Sequence, residues 1–255
     1  MRRLTVIVLN KTRLFLAAIA AFFLLEILVL FLRATLLIVY MCIIPQKGII
    51  VIDPGHGGID GGTTKDGVIE KDINLDIAKK LKVILQQKGY QVVMTREENI
   101  SLNSLDNSNK SRHRRDLNAR VNIINKHNPL LFVSVHVNSN YTNTRATGAI
   151  VFYGEKYCES KVLAYCIQRA LNSIVVNGVK RVTHDPQPGN YFILNNSNVP
   201  GVIIETAFIS NVEDRSLLTK DEFRKQLAVG IANGIEKYLN DANKVVAPQL
   251  NEGQI

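Results

Sequence analysis

Three short runs constrain this chain more than anything else in it: Ile49–Ile52, Leu130–Val135 and Gly201–Ile204. They are apolar and largely β-branched, broken only by Ser134 and the leading Gly201. None alternates polar with apolar residues, so each reads as a strand covered on both faces, the pattern of a parallel sheet between layers of helices. Each run also hands over to a side chain that can do chemistry. Asp53-Pro54-Gly55 turns the first run into His56, His136 follows the second directly, and Glu205 follows the third. In open α/β sheets ligands bind at the carboxyl ends of strands. A lone histidine in a turn is ordinarily a turn residue; three such side chains, each at the end of a buried strand, point to one shared site.

The segments between these runs supply the helices. Glu70 stands immediately before a helix whose apolar stripe is Ile73, Ile77, Leu81 and Ile84/Leu85, stopped by Gly89. Asp116–Lys126 and Tyr157–Leu171 read as helices. Thr219-Lys220-Asp221-Glu222 matches a capping box opening a helix that buries Phe223, Leu227, Ile231, Ile235 and Leu239. Tyr90–Met94, Gly148–Tyr153 and Tyr191–Leu194 read as further strands. The expected fold is a single three-layer α/β domain over residues 48–240, with a mostly parallel central sheet flanked by helices. Residues 241–255 read as a polar, disordered tail. The glycine-rich loop Gly61–Gly67 lacks the Gly-Lys-Ser/Thr ending of a phosphate cradle. Glu97–Arg115 reads as an exposed loop. Its Arg112-His113-Arg114-Arg115 cluster is a solvated face, with weak attraction to an anionic polymer as the alternative. His184 reads as a loop residue that could face substrate.

Ahead of this body, Leu14–Leu32 is apolar except for Glu26. As a helix it covers roughly 28 Å, close to a hydrocarbon core of about 30 Å. Arg2, Arg3, Lys11 and Arg13 precede the span, which places the N-terminus in the cytoplasm and the body outside. Residues 1–47 are therefore expected to be a cytoplasmic stub and an uncleaved membrane anchor. Six of the 31 Lys and Arg but one of the 22 Asp and Glu fall before Gly48, so the body carries only +4 of the chain's +9. That balance argues against a nucleic-acid binder. Cys158 and Cys166 fall on one helical stretch about 12 Å apart, too far for a disulfide.

Two histidines and a carboxylate with one open position form a catalytic zinc ligand set. A second, non-ligating carboxylate can move a proton from the attacking water to the leaving group. The blocks Ile52–Gly58 (IDPGHGG), Glu70 before a helix, Thr95-Arg96, Arg120–Asn125, Ser134–Asn138 (SVHVN) and Ile204–Asn211 (IETAFISN) carry a resemblance. In this order, from about Gly48 to Leu239, they resemble the zinc-dependent N-acetylmuramoyl-L-alanine amidases. The N-terminal anchor and the stretch from Ser111 to Asn125 are most similar to the spore-germination branch of that family. The resemblance implies one Zn²⁺ per chain held by His56, Glu70 and His136, with Glu205 as catalytic acid/base. It implies peptidoglycan as substrate, cut at the amide between N-acetylmuramic acid and L-alanine, in spore cortex maturation toward muramic-δ-lactam. Whether an activating protein partner is needed stays open. Other zinc hydrolases of the same polymer (a peptidase or a deacetylase) share such a ligand set, and a non-catalytic wall-binding module is the remaining alternative.

Overall fold

The computed structural model describes residues 10–43 and 47–251. Arg2, Arg3 and the last four residues lie outside them. The chain forms two compact units, Met1–Gln46 and Lys47–Ile255. Among the described residues the first contains one helix, α1 (Lys11–Ile43), with no acidic residue in its first turn and no basic one in its last. Its stretch Lys11–Leu37 is long and apolar enough to cross a membrane, and none of the most apolar part is buried in protein.

The second unit is α/β. In chain order it contains β1 (Ile49–Pro54), β2 (Thr64–Lys65), β3 (Val68–Ile69), α2 (Glu70–Gln87), β4 (Gln91–Met94), a single 3-10 turn at Asn103–Leu105, α3 (Arg112–His127) and β5 (Leu131–Asn138). Then come β6 (Ile150–Tyr153), α4 (Cys158–Asn172), β7 (Val175–Val176), β8 (Val179–Lys180), β9 (Gln187–Pro188), α5 (Phe192–Asn196), β10 (Gly201–Phe208), α6 (Val212–Leu218) and α7 (Asp221–Asn251). One six-stranded sheet runs β4-β1-β5-β10-β6-β9. β4, β1, β5 and β10 are mutually parallel, while β6 is antiparallel to β10. The three apolar runs are thus adjacent central strands, and the sheet is mostly parallel as their composition demands.

Strand periodicity sends alternate residues to opposite layers. Ile50, Ile52, Leu131, Val133, Val135, Val202 and Ile204 pack with Ile77, Leu81, Leu163, Ile167, Ile231 and Ile235 in the larger core, under α2, α4 and α7. Val51, Phe132 and Ile203 face the other way, against Val121 and Ile124 of α3 and Ile193 and Leu194 of α5. Counting on by twos from this second set reaches Asp53, Ser134, His136 and Glu205. The polar residues of the central strands therefore share the α3/α5 face with the smaller core. Register fixes their pairing: Asp53 is opposite Ser134, and Glu205 is opposite His136.

Several local expectations differ from the structure. Tyr191–Leu194 is not a strand; Tyr191 is the extended residue before α5, and the chain coils so that Ile193 and Leu194 are both buried. A four-residue apolar run carries no usable periodicity, so strand and helix could not be told apart there. α3 starts at Arg112 behind Ser111, whose hydroxyl accepts from Arg114 N at 3.4 Å, four residues before the expected start. Thr219 does not cap α7: it closes α6, and its hydroxyl donates to the Ser216 carbonyl at 2.7 Å. α6 itself is capped by Asn211, which accepts from Glu213 N and Asp214 N. The backbone of α7 continues helical to Asn251, past the residue at which the polar tail was expected to begin. No Gly or Pro intervenes there before Pro248. β5 and β10 extend beyond the apolar runs, so His136 and Glu205 lie within strands rather than after them.

Candidate metal centre and catalytic cavity

The loop after β1 is shaped by contacts from far along the chain. Gly55 N donates to Val135 O at 2.9 Å, continuing the β1–β5 ladder by one step. His56 then takes a left-handed backbone, φ 60°, a conformation that a non-glycine residue holds only when its surroundings enforce it. Arg120 does so: its guanidinium donates to His56 O at 2.6 Å and Pro54 O at 2.8 Å. Arg96 grips the same loop from the other side, donating to Pro54 O at 3.0 Å, Gly55 O at 2.9 Å and Lys71 O at 2.9 Å. Both arginines are about 2 % exposed. Arg120 is charge-balanced by Asp116 at 2.6 Å and by Asp53 at 2.7 Å. Asp53 also accepts from Thr95 and Ser134, each at 2.6 Å. Burial works against the Asp53 charge, but Arg120 and the two hydroxyls outweigh it and hold its carboxyl below the usual range.

On this frame three donors meet. Glu70, the first residue of α2, is 3 % exposed. Its Oε1 lies 3.2 Å from His56 Nε2 and 3.0 Å from His136 Nδ1. One ligand atom from each of the three residues fits within a 4.8 Å span. Ligands at about 2.0–2.1 Å around a tetrahedral zinc sit roughly 3.3 Å apart, so the Glu70–histidine spacings fit that ion. The donor set, two imidazoles and one carboxylate, fits as well. Burial acts against the Glu70 charge, but bonds from His136 and His56 more than compensate and hold it well below the usual carboxylate range. His56 is pushed up to about 9: desolvation opposes this, and Glu70 and Asp60 overcome it. Carboxylates that favour a proton on this imidazole favour a metal cation in the same place.

The supporting contacts orient each donor. Asp60 accepts from His56 Nδ1 at 2.9 Å, leaving Nε2 toward Glu70. Glu70 accepts from Thr63 N at 2.8 Å, Val137 N at 3.2 Å and the Asn74 amide at 3.3 Å. Two glycines are obligatory. A Cβ on Gly55 would stand 2.2 Å from the His136 ring, and one on Gly62 (φ 64°) would stand 2.5 Å from Glu70 Oε2.

Glu205 faces the same cavity, a space of about 430 Å³ that also borders His56 and His136. Its Oε2 is buried and has no hydrogen-bond partner among the described residues. Its pKa is raised to about 7, chiefly by desolvation and further by the Glu70 charge, with the two histidines opposing. A carboxyl poised there can both take and give a proton near neutral pH. The structure thus brings together all four residues singled out in the sequence. It does not bring His184, whose Nε2 meets Thr147 O at 2.8 Å and which does not line the cavity. Sequence reasoning gave no role to Asp60, Asn74, Arg96 or Arg120. The first two lie four residues from the donors they orient, so proximity in sequence was a usable signal for them; the two arginines stood in blocks that carried the resemblance, without a role attached.

A buried carboxylate beside a candidate metal centre, at the strand ends of an α/β sheet, is the equipment of an amide hydrolase. The family model described as N-acetylmuramoyl-L-alanine amidase matches residues 50–237. The germination-specific N-acetylmuramoyl-L-alanine amidase of Bacillus subtilis is 34% identical over 200 residues, covering 78% of this chain and 83% of that protein. N-acetylmuramoyl-L-alanine amidase AmiA of Escherichia coli is 28% identical over 236 residues, covering 76% and 77%. Among solved structures, the CwlD amidase from Clostridioides difficile in complex with the GerS lipoprotein matches at TM-score 0.68 and 34% identity, over 76% of this chain and 99% of that one. The catalytic domain of CwlV, an amidase from Bacillus (Paenibacillus) polymyxa, matches at TM-score 0.62 and 27% identity, over 75% and 98%. The chain belongs to the N-acetylmuramoyl-L-alanine amidase family, and its enzyme class is the one that name describes.

Proposed function

We propose that the chain is a zinc-dependent amidase that hydrolyses the bond between the lactyl group of N-acetylmuramic acid and L-alanine in peptidoglycan. Its place is spore cortex maturation, upstream of muramic-δ-lactam. The observation that carries this reading is Glu205 Oε2, buried and unpaired, on the wall of the cavity that borders His56 and His136 of the His56–Glu70–His136 donor set. Those three residues would hold one zinc, which when bound supplies a Lewis acid that activates water and polarises a carbonyl. Asp60 and the backbone donors to Glu70 keep the ligands aimed. Glu205 takes a proton from the water that adds to the lactyl carbonyl. When the C–N bond breaks, Glu205 returns that proton to the alanine nitrogen, so the products are a carboxylic acid and an amine. Water must otherwise lose its proton unassisted and the amine must leave as an anion, so such a shuttle is worth typically ~10²–10⁴-fold.

The similarity to the germination-specific enzyme supports the cortex assignment. The apolar stretch Lys11–Leu37 supports anchoring in the membrane, with the amidase unit on the wall side. The complex of CwlD with a lipoprotein supports an accessory protein partner at that surface. The decisive assay is mass spectrometry of purified peptidoglycan after incubation with the zinc-loaded full chain in detergent. Free lactyl carboxylates paired with new L-alanine amines are expected. Cleavage between amino acids, or loss of acetyl groups from the glycan, would replace this reading with a peptidase or a deacetylase.

A further inference from the structure

We infer that Asn74 is a positioning residue of the metal centre: it sets zinc affinity by tying Glu70 to the His56 loop, and it lowers the stability of the metal-free fold in doing so. This rests on the metal-centre reading above. Asn74 lies four residues after Glu70 on α2 and is fully buried. With Ala78, Leu81 and Leu85 it makes one line of buried residues along that helix, at the spacing of a core-facing stripe. An aliphatic side chain fills such a position with no polar atom to accommodate. Asparagine is also a poor helix former, because its amide competes for nearby backbone groups. Helix propensity and core packing both argue against it there, and a local rule broken without structural compensation marks a functional position.

The direction of the amide shows what it is for. Its Nδ2 donates to Gly55 O and to Glu70 Oε1, each at 3.3 Å, so both N–H groups are used. Turned over, the amide would set Oδ1 against those same two acceptors, so its neighbours fix the orientation. Oδ1 is then buried with no hydrogen-bond partner among the described residues. A buried amide satisfied on one side only costs a fold more than an apolar side chain of similar shape. Neither acceptor depends on it. Gly55 O also accepts from Arg96 at 2.9 Å, and Glu70 Oε1 from Val137 N at 3.2 Å. Removing the amide would therefore orphan nothing.

What Asn74 adds is a bridge between two segments that each carry a metal donor. The Gly55 carbonyl belongs to the peptide that leads into His56, on the loop after β1, while Glu70 heads α2. One amide bonds to both. The 3.2 Å spacing between His56 Nε2 and Glu70 Oε1 is thus held across the two segments before an ion arrives. Donors fixed in advance lose less freedom when they bind, so this preorganisation appears as affinity.

The test uses the full chain in detergent, stripped of metal, and two substitutions that remove the same amide but pack differently. Asn74→Leu keeps the site filled, and Asn74→Ala leaves a void. Urea unfolding of the metal-free protein gives stability, and competition with a chromophoric chelator gives the zinc dissociation constant. Both variants are expected to bind zinc about 10- to 100-fold more weakly than wild type, the range for losing a group that orients a ligand. Metal-free Asn74→Leu should unfold at the same urea concentration as wild type or a higher one, and Asn74→Ala at a lower one than Asn74→Leu. The zinc loss should be common to the two variants while stability separates them, which a purely structural role would not produce. Wild-type zinc affinity in Asn74→Leu would overturn the inference. So would affinity losses that track stability across the two variants, or a metal-free Asn74→Leu less stable than wild type. Wild type that takes up no zinc would end the metal-centre reading itself, a result distinct from wild type and variants binding zinc alike.

Discussion

Replacing Glu205 by glutamine separates a proton shuttle from a structural carboxylate, because the two roles move stability in opposite directions. Glu205 Oε2 is buried without a partner, and burial has raised the carboxyl from 4.5 to about 7. An acid whose folded pKa is raised holds its proton in the folded state while the unfolded chain has already lost it. Stability therefore falls as pH climbs from about 4.5 to about 7 and stays low above that. Each pKa unit is worth ~1.4 kcal/mol, so the ionised group costs on the order of 3 kcal/mol above neutrality, as an upper figure since the residue keeps some contact with solvent. Glutamine removes that cost. In metal-free protein at pH 8 the variant is expected to melt at least as high as wild type, while near pH 4 the two should coincide. On zinc-loaded protein, turnover of a muramoyl-peptide should fall by at least about 10²-fold with zinc content unchanged. Calorimetry at both pH values, metal analysis and amide cleavage, all on one preparation, give the answer. A variant that melts lower at pH 8 yet keeps its turnover per folded, zinc-loaded molecule would refute the reasoning, because Glu205 would then be a structural group.

Three further outcomes follow from the same geometry. His136→Ala should lose both stoichiometric zinc and activity, read by metal analysis after dialysis; a variant that retains one zinc per chain would break the proposed ligand set. Asp53→Asn leaves Arg120 with half its charge partnership in a buried site and should cost about 3–5 kcal/mol at neutral pH, measured by denaturant unfolding. Because the Asp53 pKa is lowered on folding, its contribution is complete above the ordinary value of 3.8 and is lost as pH falls through the folded pKa, so wild type and variant should converge in acid. Protease added to intact protoplasts should remove the amidase unit on the proposed topology, in which the cations before Leu14 hold the N-terminus inside; full protection would reverse that topology.

What was legible in the sequence and what was not divides along contact range. The central strands could be read because a strand covered on both faces has to be apolar throughout, and because every residue of Ile49–Ile52 and Val202–Ile204 is β-branched, which favours strand where length alone decides nothing. Their adjacency then places His136 and Glu205 side by side without further information, and α2 brings Glu70 to the same rim. Short-range chemistry was also present but easy to pass over. Asp66-Gly67 and Asn177-Gly178 all have positive φ and close the β2–β3 and β7–β8 hairpins, and both dipeptides are strong hairpin signals. They were hidden by strands of two residues, too short to show alternation.

The second layer of the site was illegible for a different reason. Arg120 reaches back to the carbonyl of His56, 64 residues earlier, and Arg96 to that of Gly55, 41 residues earlier. An arginine on a helix or after a strand reads as surface unless the fold is known, because its burial depends on partners supplied by distant segments. Here those partners are mostly main-chain carbonyls, which have no residue type and leave no trace in a sequence. The left-handed His56 depends on those same contacts. Its side chain could be chosen from the sequence, but its aim could not, since the ring's direction is set by Arg120 pulling on its carbonyl and by Asp60 holding its Nδ1. The residues that would touch the metal are thus local in origin, while the residues that determine whether they point at it are not. Substitutions at Arg96 or Arg120 should on this account disturb metal affinity and turnover together, because both side chains hold the loop that carries His56.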